Sequence, residues 1–317
     1  MQFVNLGKSG LQVSRICLGG NSWGAKGRRQ WGGLDEEESK PFLKRALDLG
    51  VNFYDTAPTY NDGASEEILG RNLVGSVPRD QLVLLSKVGF PKPPPNRGNL
   101  GRKHILDSLH MTLKRLRTDH VDVFVIHRFD PFTPIEETMA TLHQALLDGK
   151  IRYLGASVMA AREFIRLQLF AKNNGLTQFV EMQNFYNLLY REDERELVPF
   201  CEEEGVGLTP FGPLARGLLS GSRSADGSGD SERAKADAKR SSEFYRDHQP
   251  AILEALSKVA NAHGVKPAQI ALAWLLHQKA MAAPVVGATK LSHIEDAAAA
   301  VEIKLTREQV SSLETPY

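Results

Sequence analysis

The sequence predicts a closed parallel barrel of the TIM (β/α)8 type, and three observations predict it. Eight short β-rich runs alternate with longer helical patterns along 317 residues. Several of those runs are almost continuously apolar, as strands buried on both faces are. No G-x-G-x-x-G follows the first strand, which weakens the competing doubly wound fold. Barrels of this type routinely run to this length, so residues 1–317 read as one domain.

The runs, in order, are Arg15-Ile16-Cys17-Leu18, Val51-Asn52-Phe53-Tyr54, Leu82-Val83-Leu84-Leu85, Val121 to Ile126, Ile151-Arg152-Tyr153-Leu154, Phe179-Val180-Glu181-Met182, Val206-Gly207-Leu208 and Pro284-Val285-Val286. Between them, Ile105, Leu109, Leu113 and Leu116 recur at steps of three and four, as do Ile135, Met139, Leu142 and Leu146. That spacing places each set on one helix face. Thr133-Pro134-Ile135-Glu136 reads as a helix start, with Thr133 as cap, Pro134 in the first turn and Glu136 closing a capping box. Gly149 suits the end of that helix. Before the first run, Phe3 to Leu6, Gly7-Lys8-Ser9-Gly10 and Leu11 to Val13 read as a β-hairpin that closes the barrel floor. Ser220 to Ser242 is rich in Gly, Ser and charged residues and reads as a long mobile loop, about 220–242.

Composition excludes several function classes. The hydrophobic share of 42% supplies a large core, and a net charge of +1 gives no footprint for nucleic acid or an anionic membrane. The two cysteines, Cys17 and Cys201, lie in apolar stretches and read as buried free thiols, not as a disulfide framework. The N-terminus lacks the charged flank and apolar stretch of a signal peptide, and no run approaches the ~18 apolar residues of a membrane span. The expected compartment is the cytoplasm. No metal is expected.

Active sites of such barrels form at the C-terminal ends of the strands. The second strand ends at Asp55, the third at Lys87 and the fourth at His127. Tyr60 lies five residues past Asp55, over the same face. Singly, each has a blander reading: a turn cap, a solvated lysine, a structural histidine, a packing tyrosine. Together they are polar endings to apolar strands, costly to bury unless they pair. A phenol with a pKa near ~10 is a poor acid at neutral pH. A neighbouring ammonium stabilises the phenolate, and a carboxylate holds that ammonium charged and in place. An imidazole can hydrogen-bond a carbonyl oxygen and orient it. Tyr60, Lys87, Asp55 and His127 therefore make a general acid with its tuning group, anchor and orienter.

On these residues the chain resembles the aldo-keto reductase family over nearly its whole length. Asp55-Thr56-Ala57-Pro58-Thr59-Tyr60, followed by Gly63 to Gly70, looks like the family's Asp-to-Tyr signature. Lys87 and His127 match its Lys and His positions. The likeness is to bacterial members near the potassium-channel β-subunit branch. It implies a nicotinamide cofactor, NADPH/NADP+, and reversible reduction of an aldehyde or ketone, a small-molecule carbonyl, to an alcohol. Ser157, Gln183 and Asn184 match residues that hydrogen-bond the nicotinamide carboxamide, and Phe211 the aromatic that stacks on its ring. Gly212, Pro213, Leu214, Ala215, Arg216 and Gly217 resemble the loop over the pyrophosphate. Gly287, Thr289, Lys290 and His293 resemble the site of the adenosine 2′-phosphate at a helix start, and Asp296 matches a position near the adenine.

Some positions depart from the family pattern. Val158, Gly212 and Ala297 stand where polar residues are common, and Phe211 where Tyr or Trp is common. Trp23, Trp31, Phe90 and Phe129 are candidate pocket walls, with Phe132 nearby. The chain stops soon after its last helical pattern, where relatives with a longer tail cover part of the pocket, so a more open site is expected. Two other readings compete. One is a cofactor-binding regulatory subunit with little turnover, against which His127 argues. The other is a Schiff-base enzyme using Lys87 as nucleophile, which the Asp55–Tyr60 signature does not fit.

Overall fold

A computed structural model describes residues 1–24, 33–91, 96–221, 223, 235 and 249–317. Most of the Ser220 to Ser242 segment, and Trp31, lie outside the described residues. The chain opens with an antiparallel hairpin, β1 (Phe3–Asn5) and β2 (Gln12–Ser14). The parallel strands follow: β3 (Cys17–Gly19), β4 (Phe53–Asp55), β5 (Val83–Val88), β6 (Val121–Ile126), β7 (Ile151–Ser157), β8 (Phe179–Gln183), β9 (Gly207–Leu208) and β10 (Val285–Gly287). The described helices are α1 (Glu36–Asp48), α2 (Ala64–Asn72), α3 (Arg102–Leu116), α4 (Ile135–Leu147), α5 (Ala161–Asn173), α6 (Leu197–Glu204), α7 (Gln249–His263), α8 (Pro267–His277), α9 (Leu291–Ala300) and α10 (Arg307–Glu314).

The sheet order is β10-β3-β4-β5-β6-β7-β8-β9, every pairing parallel. The two ends meet through single bridges, Leu208 to Met281 and Phe211 to Val285. There Val285 N–H donates to Pro210 O and Ala282 N–H to Leu208 O, each at 2.9 Å. The sheet thus closes as a TIM barrel. All eight runs read from the sequence are strands of it. β5 and β6 are buried along their whole length, because side chains alternate between the barrel interior and the helix layer. Phe53, Leu85, Val123 and Val125 fill the interior, while Leu84, Phe124, Leu154 and Phe179 face the outer layer.

The hairpin closes the floor. Its Leu6 and Val13 join the interior cluster, and Lys8 N–H donates to Gly205 O at 2.7 Å. Gly7 is required there. Its φ is +57°, and a Cβ would lie 2.4 Å from Gly205 O. Cys17 and Cys201 are buried free thiols. Among the described residues no helix is long and apolar enough to cross a membrane.

One expected helix start is corrected. Thr133 does not cap α4; its hydroxyl donates to Asp130 Oδ2 at 2.5 Å, and Pro134 occupies the cap position without a side-chain bond. Asp130 competes successfully because it also accepts from Phe132 N–H and Leu100 N–H, each at 2.9 Å, and so organises the whole loop. Gly149 does end α4, with φ +70°.

Gly70 in α2 lies close against α3. A Cβ there would sit 2.2 Å from Arg115 O, a backbone atom of α3. Gly70→Ala is therefore expected to cost about 1–3 kcal/mol by forcing α2 off α3. Urea unfolding checks it: the midpoint should fall while the slope holds.

Candidate active site

Four parallel strands deliver polar side chains to one end of the barrel. Asp55 ends β4, Lys87 lies one residue short of the end of β5, His127 follows β6, and Gln183 ends β8. Tyr60 is carried in by the turn after β4. That turn is tight: Asn61, Asp62 and Gly63 hold φ of +48°, +54° and +93° in succession. It is pinned where Asn61 Nδ2 donates to Trp23 O at 2.6 Å. Non-glycine residues seldom take such values, so the turn is a specified feature.

Lys87 is the hub. Its side chain is fully buried. Its ammonium donates to Asp55 Oδ1, to Thr56 O at 2.9 Å and to the Tyr60 hydroxyl at 3.0 Å. The Tyr60 hydroxyl in turn donates to Asp55 Oδ2 at 3.3 Å, and Gln183 Nε2 donates to Asp55 Oδ1 at 3.1 Å. Burial pushes the Lys87 ammonium toward neutrality, but Asp55 and then Tyr60 outweigh it, so its pKa is raised and it stays charged. A buried charge with every donor engaged is affordable; without Asp55 it would not be.

His127 stands edge-on to Tyr60, ring centroids 6.1 Å apart and planes at 82°. Its pKa is held well below the ordinary imidazole range, first by burial and then by the Lys87 and Arg128 charges. The ring is thus neutral at neutral pH, with one N–H to donate and no charge of its own to give. Phe90 packs against the same ring, centroids 5.1 Å apart. The structure therefore brings Asp55, Tyr60, Lys87 and His127 together, and adds Gln183 to them.

A second set of predicted residues surrounds this group. The Ser157 hydroxyl donates to Gln183 O at 2.6 Å, and its oxygen can still accept. Asn184 Nδ2 donates to Asp193 Oδ2 at 2.9 Å and to Met159 O at 3.3 Å, while Asn184 Oδ1 is buried with no partner. Val158, which follows Ser157 in the chain, holds φ +44°, a strained value for a β-branched side chain. Phe211 is half-buried against Phe185, centroids 5.5 Å apart. The segment Gly212 to Gly217 turns sharply, with φ of +46°, +57° and +104° at Ala215, Arg216 and Gly217. Thr289 and Lys290 are exposed at the start of α9, and Thr289 N–H donates to His293 Nδ1 at 3.4 Å. Asp296 is gripped by Lys266 Nζ through both oxygens, at 2.9 and 2.8 Å.

Two comparisons bear on this arrangement. The family model described as "Aldo/keto reductase family" matches residues 15–316. The chain belongs to the aldo-keto reductases. It is 39% identical to the versiconal hemiacetal acetate reductase of Aspergillus parasiticus, over 100% of this chain and 97% of that one. It is 40% identical to the aldo-keto reductase AMT2 of Alternaria alternata, over 99% and 91%. Both are fungal proteins. The aldo-keto reductases are oxidoreductases that act on carbonyl groups with nicotinamide cofactors.

The fit to a nicotinamide can be tested on this aldo-keto reductase's own residues. A carboxamide offers two N–H donors and one acceptor. The orphaned Asn184 Oδ1 is a buried acceptor lacking a donor, a position a native protein rarely leaves unexplained. With the Ser157 hydroxyl, bound to the carbonyl of the adjacent residue Gln183, the residues present suit that group. The exposed Lys290 ammonium and the α9 N-terminus suit a phosphate.

Two predicted wall residues need comment. Trp23 is only 1% exposed and belongs to the hydrophobic core, so it offers no open wall. The indole packs over Gly20, where a Cβ would lie 2.9 Å from Trp23 Cε3. Phe90 and Phe129 are half-buried, and Phe132 is 93% exposed. Ala297 is fully buried on the inner face of α9 and cannot reach a ligand. Three features were missed from sequence: Asn61, the left-handed Val158, and Lys266 on Asp296. Only the Asn-Asp-Gly run at 61–63 carried a signal, since Asn, Asp and Gly are the residues that tolerate positive φ.

Proposed function

We propose that this aldo-keto reductase is an NADPH-dependent enzyme that reversibly reduces an aldehyde or ketone to an alcohol, with Tyr60 as proton donor. The observation that carries the reading is the Lys87 ammonium, which touches the Asp55 carboxylate and the Tyr60 hydroxyl at once. The reading takes residues 1–317 as one domain.

Ser157, Asn184 and Phe211 would hold the nicotinamide, which when bound would supply the hydride for the carbonyl carbon. The chain's own residues handle the oxygen. Neutral His127 donates its N–H to the carbonyl oxygen and fixes its direction toward Tyr60. As negative charge grows on that oxygen, Tyr60 gives up its proton, and the phenolate left behind sits 3.0 Å from Lys87 Nζ. Asp55 keeps Lys87 charged and in place throughout. In the oxidative direction Tyr60 acts as the base. Such positioned acid–base help is worth about 10²- to 10⁴-fold in rate.

The preference for NADPH over NADH rests on Lys290, with Thr289 and His293 beside it. Lys290→Ala is expected to weaken NADPH binding about tenfold, the value of one charge-assisted phosphate contact, and to leave NADH binding unchanged. Fluorescence titration with both cofactors checks this; equal losses for both would place Lys290 outside the phosphate site. The reading as a whole is tested by a panel of aldehydes, ketones and sugars with NADPH. Turnover supports it. Binding without consumption across the panel would favour a cofactor-binding regulatory role.

A further inference from the structure

One buried carboxyl lies next to the candidate site without belonging to it. Glu181 is fully buried on β8, two residues before Gln183 and on the same face of the strand. It therefore sits one layer deeper in the barrel, about 7 Å below Gln183. Its neighbour across the β7 pairing is Gly155. That glycine makes the room: a Cβ at Gly155 would lie 1.9 Å from Glu181 Oε2. Glu181 Oε1 accepts from the Thr209 hydroxyl, and Oε2 is buried with no partner. A fully ionised carboxylate with one bare oxygen in a barrel core is a costly arrangement. The protonated acid costs far less to bury, since it carries no charge.

We infer that Glu181 is a positioning residue of this site: its carboxyl, seated over Gly155 and anchored by Thr209, lies beneath the Asp55–Lys87 pair and governs through its charge how readily Tyr60 gives up a proton. The inference rests on the reductase reading above. Neutral Glu181 adds no second negative charge near Lys87, which keeps Asp55, Thr56 O and Tyr60 as its acceptors. Ionised, it adds a second carboxylate below the same ammonium and disfavours the phenolate that Tyr60 must become. Burial, opposed by the Thr209 bond and by Lys87 and assisted by Asp55, pushes the Glu181 carboxyl up to about 8. The other titratable groups that act with it are Cys17 on β3 and Cys201 on α6, both thiols that burial pushes up and keeps neutral.

The test pairs a pH–rate profile with infrared spectroscopy of the full chain. In the wild-type protein kcat for carbonyl reduction should fall along an alkaline limb near pH 8, where Glu181 ionises. Glu181→Gln, close in shape and unable to ionise, should move that limb up by about one pH unit or more. Thr209→Val removes the bond that stabilises the carboxylate, so it should move the limb in the same direction and keeps the test open if the first variant folds poorly. Independently of turnover, a carbonyl stretch from a protonated carboxylic acid should be present at pH 6, fade above pH 8 and be missing in Glu181→Gln. A limb that stays put in both variants overturns the inference, even if the band titrates. A band missing at pH 6 also overturns it. Lack of turnover with every carbonyl fails the reductase reading and the inference with it, while the band still reports the buried acid.

Discussion

Replacing Tyr60 by Phe is expected to lower kcat for carbonyl reduction by about 10²- to 10⁴-fold and to leave NADPH affinity where it was. The variant removes one oxygen and keeps the ring. The ring's contact with Lys87, 4.7 Å from ammonium to centroid, survives. Lys87 loses one acceptor and keeps Asp55 and Thr56 O. No predicted cofactor contact runs through the hydroxyl. The loss should therefore fall on kcat and kcat/KM alike, the mark of an interaction made in the transition state. Steady-state kinetics with cofactor titration by fluorescence checks both halves. Full turnover in the variant would remove Tyr60 from the role.

Lys87→Met should be the more damaging change, because it strikes stability as well as rate. The ammonium is the counter-charge of Asp55, and both are buried. Removing one partner of a buried ion pair costs about 3–5 kcal/mol, since the other charge is left uncompensated. Gln183 and Tyr60 still donate to Asp55 and soften the loss. Turnover should fall at least as far as in Tyr60→Phe, since Tyr60 then faces a carboxylate with no ammonium beside it. The double variant Asp55→Asn/Lys87→Met should recover much of the stability and none of the turnover. Urea unfolding and kinetics on the two variants separate these effects. A double variant no more stable than the single one would show that the pair's charge is not what holds this layer together.

The sequence carried much of this, and the physical reason differs from feature to feature. Strands announce themselves because burial on both faces demands unbroken apolar runs, as in Val121 to Ile126. The residues that end those strands stand out for the same reason: Asp55, Lys87 and His127 interrupt an apolar pattern. What a linear reading cannot supply is which side chains meet across the barrel. Gln183 was legible as a polar strand end, but its bond to Asp55 spans 128 positions. Glu181 sat in a strand run with no hint that Gly155 faced it. Caps fail more locally. The Thr133 pattern was sound by itself, yet Asp130 three residues earlier made a better partner. Trp23 was read by residue type as a wall, and it is instead packed into the core over Gly20, a contact that residue type does not encode.

The central claim is that hydride arrives at a carbonyl carbon while Tyr60 protonates the oxygen. It is tested most directly by offering the protein NADPH deuterated at the transferring carbon, together with an aldehyde, and locating the label in the product by mass spectrometry. The account predicts deuterium on the carbinol carbon of the alcohol in the wild-type protein, and a hydroxyl hydrogen that exchanges with solvent. In Tyr60→Phe the same labelled product should form about 10²- to 10⁴-fold more slowly. Cofactor that binds yet never passes its deuterium to any carbonyl would contradict the account.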